Sequence, residues 1–141
     1  LKKRGAKVIM TRNDDSYIGL KNRVDIANQE DAVVFISIHC NALPDGADPN
    51  KNSGTSIYYY YNQAKPLADE IMNSVTNELG INNDKVRQGS LAVVRNTNAL
   101  SLLIETSYII NPQDNANLIN IDFQKQYAKA ITNALEDYFK E

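Results

Sequence analysis

This 141-residue sequence is defined first by what it has little of. It holds one cysteine, which excludes an internal disulfide and leaves the redox compartment unread. Its single histidine excludes a metal site built on two histidines, the H-E-x-x-H helix among them. No apolar run approaches the length of a membrane span. Charge of either sign is in small excess at most: the formal net charge of −2 gives no electrostatic reason to expect nucleic acid or an anionic membrane as partner. Internal repeats, low-complexity tracts and a second domain are also missing. What remains, 43% hydrophobic and 23% charged residues, is ordinary globular composition in a chain long enough for one real core.

Taken in order, Leu1 to Gly5 reads as the tail of a helix, with basic residues in its last turn and Gly just past it. Residues 6–11 (Ala-Lys-Val-Ile-Met-Thr) read as a strand, and 12–16 as a turn capping a helix that aligns Leu20, Val24 and Ala27. A second strand is expected over 32–38. The polar stretch 43–54 is long for a connection in a compact domain, a length typical of functional or mobile loops. Residues 55–61 give a third strand. An amphipathic helix over 63–79 carries Leu67, Ile71, Val75 and Leu79 on one face, with Gly80 after it. Loop is expected over 82–89, and strands over 90–95 and 99–105. A short helix opening at Asn111-Pro112 and a long one through Phe123, Tyr127, Ile131, Ala134 and Tyr138 close the chain. This alternation predicts an α/β fold: one mostly parallel, twisted sheet with helices on both faces.

The second and last strands are the most apolar, and each stops at an ionisable residue, His39 and Glu105. Open α/β sheets bind ligands beyond the carboxyl ends of their strands. Taken singly, His39 reads as a hydrogen-bonded structural residue and Glu105 as a capping or ion-paired carboxylate. Their shared position favours a site, provided the two strands are neighbours. Imidazole is a common zinc ligand, and a carboxylate near a polarised water can act as acid and base. Catalytic zinc nevertheless takes about three protein ligands, so these residues supply half a site.

At this point the order of residues becomes specific. Thr11-Arg12, Leu20, Arg23, Ala27-Asn28 and Ser37-Ile38-His39-Cys40-Asn41 are followed by Gly54, Tyr58, Arg95, Leu103-Ile104-Glu105, Asn111-Pro112-Gln113-Asp114 and Leu118. The set resembles the N-acetylmuramoyl-L-alanine amidase family known as amidase type 3, from Lys7 to Phe139. The resemblance implies a zinc-exopeptidase/phosphorylase-like fold. It also implies a zinc enzyme that cleaves the amide between N-acetylmuramic acid and L-alanine in peptidoglycan. It makes His39 a zinc ligand and Glu105 the catalytic acid/base. The family's other two ligands, a His in a Gly-His-Gly segment and a Glu on the following helix, have no counterpart in this sequence. Residues 1–141 are therefore expected to be a catalytic domain lacking roughly 30 residues at its N-terminus, the scale of one strand-loop-helix unit. One Zn2+ is expected per complete domain. Alone, this chain is expected to bind it weakly or not at all and to be weakly active or inactive. The complete domain is expected to be a monomer acting outside the membrane on the cell wall, with any export signal before Leu1.

Asn41 is expected to shape the loop beside the metal or to meet substrate. Arg95 is expected to end its strand near the same edge and hold a substrate carboxylate or carbonyl through its planar fork; a surface ion pair accounts for it equally. Arg12 and Arg23 read as braces of the fold. Cys40 and His39, adjacent on an extended strand, point to opposite faces and cannot easily form a thiol dyad, so Cys40 reads as a small buried side chain. The outward tyrosines of 58–61 could stack on sugar, although packing is the commoner role. The competing readings are a non-catalytic peptidoglycan-binding module, which has no need of both His39 and Glu105, and a thiol hydrolase using Cys40.

Overall fold

Apolar residues at period two and period 3.6 sort into sheet and helices, and the computed structural model, which describes residues 1–96 and 98–140, joins them around one sheet. Its strands are β1 (Val34–Asn41), β2 (Thr55–Tyr59), β3 (Asn83–Gln88) and β4 (Leu100–Tyr108), in spatial order β1-β4-β2-β3. β1 runs parallel to β4 and β2 parallel to β3; the ladder between β4 and β2 is antiparallel. The mostly parallel α/β sheet is as expected, with one antiparallel ladder at its centre.

Alternation along the strands feeds two cores. Ile57, Leu102 and Ile104 face α2 (Lys65–Leu79) and α4 (Ile121–Tyr138), meeting Leu67, Ile71, Val75, Ile131 and Leu135. Each such side chain fully withdrawn from water contributes about 1.5–3 kcal/mol. On the opposite face Phe35 and Leu103 pack with Ala27 of α1 (Leu20–Gln29) and with Val93 and Val94. The helix ends follow from sequence. Gly80 takes the left-handed conformation that closes α2 (φ 65°). The Asn111 side chain accepts the N–H groups of Gln113 and Asp114 to open α3 (Pro112–Leu118), and Asn120 does the same for α4.

Several expectations need correction. Residues 6–11 join no ladder: a strand needs a partner row of N–H and C=O groups, and none pairs with this segment among the described residues. The turn over 12–16 forms, with the Ser16 N–H on Asp14, but α1 starts later, after Gly19, without a side-chain cap. Arg12 and Arg23 hold this connection by donating to the carbonyls of Ser16 and Ile18. The expected loop 82–89 contains edge strand β3, which buries little and so lacks an apolar alternation. The expected strand 90–95 is instead a 3-10 turn, Ala92–Val94, whose two valines lie buried in the second core. An apolar run that short does not distinguish a strand from a buried turn.

Candidate active site

The ladder between β1 and β4 pairs Ile38 with Ile104 and His39 with Glu105. On the other side of β4, Glu105 pairs with Ser56 of β2. Register partners share a face, so His39, Glu105 and Ser56 form one row across three strands, on the face of the second core. That row lies near the carboxyl ends of β1 and β4 and at the start of β2.

Glu105 is half-buried, and its Oε2 is enclosed without a hydrogen-bond partner. Burial pushes its carboxyl above the usual glutamate range, against the opposing influence of His39. A raised carboxyl with an unspent oxygen is suited to taking up a proton and giving it back. His39 is exposed and two residues short of the end of β1, since the strand runs on to Asn41. The Asn41 Nδ2 donates to Ser56 Oγ at 3.2 Å, and its Oδ1 accepts the Ala42 N–H at 2.9 Å.

Arg95 ends a turn and not the expected strand. It is the exposed residue closing the 3-10 turn Ala92–Val94, on the segment that leads into β4. Cys40 is exposed rather than buried. β1 is an outer strand of the described sheet, and its neighbours Ile38 and His39 are exposed with it.

Four further residues on this face escaped the sequence reading. Asp84 of β3 accepts from Ser56 Oγ (3.3 Å), from the Tyr108 hydroxyl (2.6 Å) and from Arg87, whose Nη2 lies 3.0 Å from Oδ1. Arg87 also lies over the Tyr58 ring, 5.9 Å from its centroid. Burial pushes the Asp84 carboxyl up, but the hydrogen bonds from Arg87, Tyr108 and Ser56 together outweigh it and leave it below the ordinary value. The only sequence signal was the Asp84–Arg87 spacing in a polar stretch, which any exposed ion pair also shows.

The profile of the N-acetylmuramoyl-L-alanine amidase family matches residues 1–137. The chain belongs to that family. Among curated relatives of these amidases, "Probable cell wall amidase LytH" of Staphylococcus aureus is 32% identical over 139 residues, covering 99% of this chain and 45% of the relative. The chain thus spans about half the length of the curated relatives it matches. Among solved amidase structures, AmiC2 of Nostoc punctiforme superposes with a TM-score of 0.92 at 30% identity, covering 99% of this chain and 76% of that one. The catalytic domain of CwlV from Bacillus (Paenibacillus) polymyxa gives 0.86 at 31% identity, covering 95% and 73%. Amidases of this family are in general metal-dependent. The donor set at hand does not fit a complete zinc centre. The sequence has one histidine, and no group of three His, Cys, Asp or Glu able to hold a metal occurs among the described residues.

Proposed function

We propose that this chain is part of a peptidoglycan hydrolase that cleaves the amide between N-acetylmuramic acid and L-alanine, with Glu105 as the proton-transfer group. The observation that carries the reading is the pairing of His39 with Glu105 on adjacent parallel strands, in a chain of the amidase family. Glu105 accepts a proton from the water that attacks the lactyl carbonyl, and returns it to the alanine nitrogen as the C–N bond breaks. Its enclosed, unpartnered oxygen supports that role. Asn41, with one amide N–H left over, is suited to donate to a substrate carbonyl. Arg95, exposed at the end of its turn, is read as holding a carboxylate or carbonyl of the substrate through its planar fork. His39 is read as one zinc ligand, a donor of a set that the described residues do not complete. Action on the cell wall follows from the substrate.

The test is peptide release from purified peptidoglycan by the full-length protein and its Glu105→Gln variant, with metal content measured in both. The expected result is loss of hydrolysis at unchanged metal content. Release by the variant at the native rate would remove Glu105 from the mechanism, and no release by the native protein would remove the amidase reading.

A further inference from the structure

Between two consecutive pairings, β1 advances two residues while β4 advances three: His39 faces Glu105, but Asn41 faces Tyr108. Strict alternation would turn residue 108 away from the face of residue 105. The extra residue at Thr106–Ser107 restores it, in the way a bulge re-aims a side chain. Tyr108 therefore comes to the side of the sheet that carries His39, Glu105 and Ser56, and its hydroxyl reaches Asp84 at 2.6 Å. The result is a single hydrogen-bonded chain with a member from every strand. Asn41 of β1 donates to Ser56 of β2, Ser56 donates to Asp84 of β3, and Tyr108 of β4 and Arg87 of β3 close on the same carboxylate.

The direction of each bond in this chain is forced. An ionised carboxylate only accepts, so the one hydroxyl proton of Ser56 is committed to Asp84. Ser56 Oγ can then only accept from Asn41, which must present its NH2 end and not its oxygen. The oxygen is taken up by the Ala42 N–H. One N–H of the carboxamide is spent on Ser56 and the other is unspent, on a half-buried residue two positions beyond His39. A clamp serving only to join β2 to β3 would be complete with Ser56, Asp84 and Arg87. The network instead extends to Asn41 and to the residue that the bulge turns beside it.

We propose that Asp84 is a positioning residue: through Ser56 it fixes the Asn41 carboxamide with its free N–H available to an amide carbonyl of a peptide bound beside His39 and Glu105. The proposal rests on the amidase reading for the identity of the ligand and on the network for the geometry. Tyr108 and Arg87 hold Asp84 in place and keep it ionised.

The test uses the 15N-labelled full-length protein, with the Asn41 side-chain signals assigned through Asn41→Ala. In the native protein one Asn41 amide proton is expected to show contacts to Ser56. In Asp84→Ala no acceptor remains for the Ser56 proton, the hydroxyl is released to turn, and the Asn41 signals should lose those contacts and move toward those of a solvent-exposed carboxamide. Should Asp84→Ala unfold, Ser56→Ala breaks the relay while leaving the Asp84–Arg87 and Asp84–Tyr108 contacts, and the same change is expected. Unshifted Asn41 signals in a folded variant would overturn the proposal. The second readout is titration with N-acetylmuramoyl-L-alanyl-D-isoglutamine. Asp84→Ala should weaken binding about tenfold, the worth of one well-placed hydrogen bond. It should weaken it no further in an Asn41→Ala background; an equal further loss there would show independent effects and overturn the coupling. If the compound shifts His39 and Glu105 but its affinity ignores residue 84, the positioning role falls and the amidase reading stands. If it shifts no resonance of the native full-length protein, the amidase reading falls and takes the carbonyl-donor role with it, while the ligand-free signals still decide the relay.

Discussion

His39 and Glu105, far apart in the chain, are paired residues of one parallel ladder, and the carboxylate of the pair keeps one enclosed oxygen without a partner. The half-buried acid shapes how the fold responds to pH.

Glu105 is held above its ordinary value by burial. The unfolded chain therefore ionises at this position first. As pH rises from the ordinary glutamate value to the raised folded one, stability falls, and above that window this group contributes no further change. Glu105→Gln removes the titration. Its melting temperature should exceed the native one at neutral pH, and the difference should shrink away below about pH 4, where both states of the native chain are protonated. Thermal unfolding of both proteins across pH 3 to 8, on the order of six buffers, checks this; a difference independent of pH contradicts it.

The donor set sets the metal affinity. With a single imidazole and no three-residue cluster among the described residues, the purified 141-residue chain should retain far less than one zinc per chain after gel filtration. Elemental analysis of the eluted protein reads this out, and tightly held stoichiometric zinc would refute it.

Gly54 stands where no other residue fits. Its φ is +93°, and a Cβ there would lie 2.1 Å from the carbonyl oxygen of Asn82. Gly54→Ala combines left-handed strain with a backbone clash and should cost about 3 kcal/mol or more in urea unfolding. A loss under about 1 kcal/mol would mean that the backbone at Asn82, just before β3, yields freely.

Asp114 joins three segments from a buried position. Its Oδ2 accepts the Gly54 N–H at 2.9 Å and the Tyr108 N–H at 2.8 Å, tying the end of the long loop and the end of β4 to α3. Asp114→Ala leaves both donors enclosed and should cost about 3 kcal/mol, with Asp114→Asn costing less because an acceptor oxygen remains. Equal losses in the two variants would point to the charge and not to the acceptor.

Much of this molecule follows from its sequence alone. The 3.6-residue spacing in α2 and α4, the Asn caps of α3 and α4 and the glycine after α2 are local signals that act within one or two turns, and the helices fall where those signals place them. The apolar runs of β1 and β4 identify strands, although only β4 is buried along most of its length while β1 is a partly exposed outer strand of the described sheet, and the ionisable residues near their carboxyl ends identify His39 and Glu105 as the residues to watch. Only the tertiary structure decided that these two strands are neighbours in register, because a ladder's partner is not encoded by either strand's own pattern. It also decided that residues 83–88 pair as an edge strand and residues 92–94 turn, since burial and ladder position outweigh propensity in such short stretches. The same holds for the Asn41–Ser56–Asp84–Tyr108 chain. It depends on a one-residue bulge that reverses which face Tyr108 occupies, and a single irregular residue leaves the period-two pattern of the sequence without a mark.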